Sequence, residues 1–220
     1  CACLEGANLW GANLQGANLT RASLRHAYLA QTDLREANLK GADTAGATFR
    51  GARLQRARLG GLDLQNANLQ HARLEHADLR GARLVGVDLL RANLQRANLQ
   101  GADLQGANLQ AADCEAANLQ GAEMGTCNLR QARLPNANLC DANLRAAQLS
   151  GANLSGACAA FADFEEAELE GCILQGTDLE GASLHGARWG ARPALLGDPV
   201  SQLLRERWLE PPRATTRQSA

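Results

Sequence analysis

RANLQRANLQGADLQGANLQ, residues 91–110, spells one five-letter word four times with hardly a change. Taking Leu104 as the centre of its word puts Ala102 two positions before it, Asp103 one before, and Gln105 and Gly106 after. Followed in both directions, this register runs from Leu4 to Trp189 without insertion or deletion, 38 words in all. The centre is Leu in 31 of them, the exceptions being Thr44, Phe49, Cys114, Met124, Ala159, Phe164 and Trp189. The position two earlier is Ala in 32, departing only at Thr32, Leu62, Val87, Cys127, Cys172 and Thr177. A repeat this regular decides the fold before any single element is assigned.

A period of five fits neither a helix near 3.6 nor a long strand at 2.0. It fits a very short strand followed by a corner. In Ala-Asn-Leu the two apolar residues are two apart, so both point inward while the Asn points out. The remaining two residues must turn the chain. Gly fills the second of them in 18 words, using 18 of the 22 glycines. That is the chemistry of a turn with positive φ at its second central residue. Strand and corner in alternation make an all-β solenoid, and spacing alone is compatible with three, four or five sides. Thr44 and Ala159 shrink the centre, and each is followed five residues later by a phenylalanine, Phe49 and Phe164. Small beside large conserves the cross-section of a close-packed interior. The interior is therefore expected to be filled by side chains, with no ligand cavity inside it.

Words such as GANLQ, GADLQ and GANLS resemble the pentapeptide-repeat family over about residues 2–190. The resemblance implies a right-handed, four-sided β-helix with 20 residues per coil. On that footing the 38 words make about 9.5 coils and, at about 4.8 Å per coil, a rod on the order of 45 Å long. The domain expected is residues 1–190. After Trp189 the pattern stops, and GDPVSQLLRERWLEPP reads as a short α-helix within a capping or dimerisation region, 191–212. Asp198 is its candidate N-cap and Pro199 its first helical residue, while Pro211 and Pro212 forbid continuation. Val200, Leu203, Leu204 and Trp208 share one face at helical spacing and are expected to close the open end of the solenoid. In topoisomerase-protecting members of the family such a helix dimerises the protein, so monomer and homodimer both stay open. Residues 213–220 read as a disordered tail.

Composition excludes more than it selects. The formal net charge is −1, so no overall field marks a nucleic-acid or membrane partner. No apolar run approaches the roughly 20 residues that span a bilayer. The chain opens with Cys1 and is inside the repeat by Ala2, so further chain is expected upstream. The seven cysteines lack metal-type spacing, and Cys114, Cys127 and Cys172 fall on inward positions as small hydrophobes. That usage predicts a reducing, cytoplasmic setting rather than a disulfide framework.

Catalytic signals are weak throughout. His26, His71, His76 and His185 stand on outward or corner positions, no two of them 20 residues apart. No Ser has a partner placed by the repeat, no phosphate-binding glycine loop precedes a helix, and the acids stand outside a rod without a cleft. No enzyme, metal or cofactor is expected.

Function is therefore sought on the outward positions, sorted by side. With 20 residues per coil, words centred on Leu4, Leu24, Thr44 and onward form side one. Its outward and corner positions carry eight acids, Glu5, Asp43, Asp63, Asp103, Glu123, Asp163, Glu165 and Glu166, against Arg25, Arg83 and Arg145. The other three sides are nearly balanced. Arg83, between Asp63 and Asp103, is expected to relieve repulsion along the column. Side three carries Arg53, Arg56, Arg73, Arg96 and Arg133 with Glu36, Glu75, Asp113 and Glu115 among them. Direct nucleic-acid binding is disfavoured, because no aromatics interleave with these arginines to stack bases. Asn98, Asn118 and Asn138, and likewise Asn108 and Asn128, are expected to stack as amide ladders. Trp10 and Phe161 are the conspicuous apolar residues outside the core.

The reading that follows is a rigid, non-catalytic β-solenoid acting as a protein-interaction or scaffold module, the C-terminal part of a longer chain. Its partner is a protein, and the candidate face comprises Asp43, Asp63, Asp103, Glu123, Asp163, Glu165 and Glu166. The resemblance implies an alternative: a DNA-mimicking rod that binds and protects gyrase or another type II topoisomerase.

Overall fold

A computed structural model describes residues 2–190. Parallel bridges link outward residues 20 apart, from Cys3–Ser23 to Glu168–Arg188, in four columns that follow the four words of a coil. Twenty residues and four corners per coil settle the number of sides at four. The expected terminal helix, with Val200, Leu203, Leu204 and Trp208, and the tail lie outside the described residues.

One word shows how the backbone is satisfied. Asp103 N–H donates to Ala82 O in the coil before, Leu104 N–H to Glu123 O in the coil after, and Gly106 N–H to Gly125 O. Ala107 N–H closes the corner on Leu104 O at 2.9 Å. That leaves one N–H per word, on the first corner residue. Asp103 Oδ1 accepts it from Gln105 at 3.2 Å. The same two-residue reach recurs along the rod, for example Asn8 to Trp10, Asn98 to Gln100 and Asp178 to Glu180. Asn and Asp prevail at the outward position because their short side chains accept locally from the backbone. The letter before Leu is thus structural as well as exposed.

Every second corner residue from Gly6 to Gly186 has φ between 53° and 71°. Nineteen of these are not glycine, among them Ala111, Ala116 and Ala146. Each such residue bears about 1–2 kcal/mol of left-handed strain, held by the coil bonds on both sides. Where a side chain at one corner precedes glycine at the next, it leans over it. A Cβ on Gly46 would come within 2.4 Å of the His26 ring, and one on Gly181 within 2.5 Å of the Phe161 ring.

Inside, leucine centres and alanines form one continuous core, with Phe49, Ala159 and Phe164 in it and Thr44 buried beside it. The polar exceptions follow a rule of their own. Thr32 Oγ1 donates to Leu9 O at 2.7 Å and Thr177 Oγ1 to Leu154 O at 2.8 Å. Cys127 Sγ donates to Leu104 O and Cys172 Sγ to Leu149 O in the same manner. Each spans 23 residues, from the alanine position to a corner carbonyl one coil below. These two thiols thus act as inward donors as well as small hydrophobes. Burial pushes both, and Cys114, up to about 12.

Among the described residues, one step is missing from the four bridge columns, Asp43–Asp63. There Thr44 Oγ1, not Thr44 N–H, donates to Asp63 O, at 2.6 Å. The opening coincides with Leu62, which occupies a position that is Ala in 32 words.

The cysteine expectation needs correction. Cys140 and Cys158 form a disulfide, with Cα atoms 5.8 Å apart. Their separation of 18 residues carries a first corner residue onto the outward residue of the next coil. The same diagonal joins Gln70 to Asp88 and Gln95 to Asp113. An odd count of cysteines hid a pair that coil geometry brings together.

Candidate functional site

Side one gathers its acids into one column, but it does not leave them equivalent. Arg25 pairs with Asp43 at 3.2 Å, and Arg83 with Asp63 at 3.1 Å. Arg145 meets Asp163 at 3.5 Å and also pairs with Glu165. The three arginines are thereby engaged with half the acids. Arg83 leans to Asp63 and leaves Asp103 alone, so it relieves repulsion on one side only. Glu5, Asp103, Glu123 and Glu166 have no arginine partner among the described residues. Asp103 and Glu123 stand opposite each other across one coil step. Like charges directly opposite on a ladder repel. The Asn143 amide donates to Glu123 Oε2 at 2.8 Å, a neutral contact that does not cancel the charge.

The capping rule explains part of this acidity without function. Asp43, Asp63, Asp103 and Asp163 each accept from the N–H two residues on. For Asp43 that backbone bond to Ala45, with Arg25 second, holds the carboxyl below the usual aspartate range. Glu123, one methylene longer, makes no such cap, and its carboxylate accepts from Asn143 instead. Glu165 and Glu166 are corner residues, and Glu166 has φ of 61°. Beside the column runs a bare edge: the corners leading into side one are Gly41, Gly61, Gly81, Gly101 and Gly121. A Cβ at any of the last four would meet nothing within 4 Å.

Side three is paired only in part, for Arg56, Arg96 and Glu36 have no ion-pair partner among the described residues. Arg53 reaches Asp33, Arg73 reaches Glu75, and Arg133 reaches both Asp113 and Glu115. The amide ladders form in part: Asn118 donates to Asn98 at 3.4 Å and Asn128 to Asn108 at 3.1 Å. The second continues down, Asn108 donating to Asp88 at 3.0 Å. Trp10 and Phe161 are 64% and 63% exposed, and Tyr28 and Ile173 join them at 47%. Sequence reading passed over those two, although both sit on the outward letter, which the register marks as solvent-facing. Trp10 and Tyr28 flank a hollow of about 250 Å³ with Arg50 and His71. His26, His71, His76 and His185 are all exposed. Among the described residues no helix is long and apolar enough to cross a membrane.

A family model for pentapeptide repeats matches in eight copies, which together cover residues 2–158 and 162–188. The chain belongs to the pentapeptide-repeat family. The right-handed sense of its coil follows from that membership. Among solved pentapeptide-repeat proteins it is similar to HetL, involved in heterocyst differentiation regulation in the cyanobacterium Nostoc sp. strain PCC 7120. The two are 35% identical, over 88% of this chain and 90% of that one, with a TM-score of 0.42. Rfr23 from the cyanobacterium Cyanothece 51142 is 31% identical, over 51% of this chain and 90% of that one, with a TM-score of 0.50. QnrB1, a plasmid-mediated fluoroquinolone resistance protein, is 20% identical, over 94% and 97% of the two chains, with a TM-score of 0.44. No curated protein matches the sequence. Pentapeptide-repeat proteins are in general non-catalytic structural or interaction modules, and no enzyme stands among these relatives.

Proposed function

We propose that this pentapeptide-repeat rod is a rigid docking module that presents side one to a basic protein surface. The observation carrying the reading is the Asp103–Glu123 step, two facing carboxylates with no arginine partner on a side whose arginines are spent elsewhere. A fixed β-helix holds such a pair at constant spacing, so a partner's lysines or arginines meet a preorganised target. The glycine edge next to it lets a partner approach the backbone without displacing side chains. Within the seven candidate acids, Asp103 and Glu123 are the centre. Asp43, Asp63, Asp163 and Glu165 are engaged by arginines, and Glu166 lies two coils beyond Glu123.

The test is a charge reversal, Asp103→Arg with Glu123→Arg, in affinity capture from the native host. Specific partners are expected to be lost from the variant while its melting temperature changes little. Retention of every partner by the reversed protein refutes the docking face.

The alternative is a DNA mimic acting on gyrase or another type II topoisomerase, supported by the concentration of acids on one side. Its weakness is that arginines neutralise four of them and the other sides are balanced. It requires inhibition or protection of gyrase supercoiling at micromolar protein, and a dimer through Leu203, Leu204 and Trp208. A monomer by light scattering with no effect on supercoiling removes it. The cytoplasmic reading rests on the free thiols of Cys114, Cys127 and Cys172, and the Cys140–Cys158 bond opposes it. Mass mapping of protein trapped with alkylating agent in its host decides between them, Cys140 and Cys158 recovered unalkylated and two hydrogen atoms lighter marking an oxidising compartment.

A further inference from the structure

On side four, three successive words read NLKG, RLGG and DLRG, residues 38–41, 58–61 and 78–81. Between Lys40 and Arg80 the first corner residue is Gly60, part of the only Gly-Gly pair in the sequence. Nothing in the backbone demands glycine here. Gly60 lies outside the left-handed region. A Cβ on it would sit at ordinary distances, 3.6 Å from Arg80 O and 3.8 Å from the Asp78 carboxylate. Its effect is to omit a side chain and open a notch of about 530 Å³ lined by Asn38, Lys40, Arg58, Gly60, Asp78 and Arg80.

The notch is cationic in a particular way. Asp78 is taken by Arg80, whose Nε and Nη2 reach the two carboxylate oxygens at 2.8 and 2.7 Å. That pair is internally neutral. Lys40, the only lysine of the chain, and Arg58 have no acidic partner within ion-pair distance among the described residues. A backbone donor joins them. In the coils below and above, Asn38 caps Lys40 N–H and Asp78 caps Arg80 N–H. In the coil between, the capping position is Arg58, which has no acceptor to offer. Gly60 N–H therefore stays open on the outward side, beside Lys40 and Arg58, the latter near enough to Asp78 to help hold its carboxyl below the usual range but not paired with it.

We infer that this notch is a binding site for a phosphate group, free or carried as a monoester by a small molecule. Two unspent cations match the charge of about −1.5 to −2 that a phosphate monoester carries at neutral pH. Arg58 offers planar paired donors, Lys40 a mobile point charge, and Gly60 N–H a fixed third donor. The volume exceeds one phosphate, which leaves room for the group esterified to it. The site lies on side four and does not depend on the docking face of side one.

The test is amide chemical-shift titration of the whole chain with inorganic phosphate, phenyl phosphate and succinate, at ionic strength matched with sodium chloride. Saturable shifts are expected at Lys40, Arg58 and Gly60 with either phosphate. Tighter binding of phenyl phosphate assigns a small-molecule ester, and equal binding assigns free phosphate. Lys40→Gln with Arg58→Gln is expected to weaken binding about tenfold or more. Gly60→Gln, which installs the commonest residue of this corner position, is expected to do the same by filling the notch, at unchanged melting temperature. Shifts no larger than those of chloride, or undiminished in Gly60→Gln, overturn the site. Succinate binding as tightly as phosphate overturns the ligand class in favour of carboxylates.

Discussion

The coil 91–110 and the stretch 41–66 are built from the same word, yet they behave differently. In the first, every backbone step is made and each corner is capped by Asn or Asp. In the second, Thr44 replaces Leu, Leu62 replaces Ala, and Gly60 replaces a corner side chain. There the Asp43–Asp63 bridge is absent and the cationic notch lies alongside. Repetition makes scaffold. Departures from it make places where a backbone donor or a charge is left over, and a ligand can use only what is left over.

The sharpest way to break the contrast is to damage the regular coil. Leu104 is wholly buried, and Leu104→Ala is expected to cost about 2–5 kcal/mol, read from the urea midpoint. A far smaller loss shows that the regular core relaxes around cavities and is not the rigid half of the comparison. In the irregular stretch, Thr44→Val removes the hydroxyl that serves Asp63 O, and a cost of about 1 kcal/mol is expected. Hydrogen exchange sharpens the same point. Thr44 and Asp63 amides, outside the ladder, exchange faster than those of Leu104 and Asp103, and Leu62→Ala restores their protection. Equal rates in both stretches remove the distinction.

Smaller effects follow at the corners. Ala111→Gly and Ala116→Gly relieve left-handed strain and are expected to add about 0.5–1 kcal/mol each, since part of the gain is offset by glycine's unfolded-state entropy. A lowered melting temperature in both contradicts the strain account. The slightest effect concerns pH. Asp43 and Asp78 have folded-state values below the ordinary one, through the Ala45 N–H and Arg25 in one case and Arg80 in the other. Their contribution is therefore present above the normal aspartate range and fades as pH falls through the depressed value. Asp43→Asn, which keeps the capping oxygen, is expected to shallow the acid limb of the stability profile, measured by thermal melts from pH 6 downward (a scale of about two pH decades around the carboxylate range).

Much of this was legible in the letters. The inward pair, the corner and its positive φ follow from Ala-Asn-Leu and from the placement of glycine, and the pentapeptide-repeat resemblance supplied the 20-residue coil. The acidic column could be counted once that number was known. Its internal division could not, because it depends on which way Arg83 and Arg145 lean. Tyr28 and Ile173 were readable from the register, which puts both on the outward letter. The Cys140–Cys158 bond and the notch at Gly60 were not readable from the period alone. Each arises from a diagonal or a gap between coils, which a one-dimensional repeat does not contain.

By itself, then, the sequence determined a solenoid, its side-facing alternation and the residues available on each side. Those are consequences of local stereochemistry repeated at fixed spacing. The tertiary structure alone decided the contacts that run between coils at offsets of 18 and 23 residues, and with them which charges are spent. The physical reason is that a coil brings residues together by winding. How far each neighbour is displaced along the chain depends on the path of the corners as well as on the period.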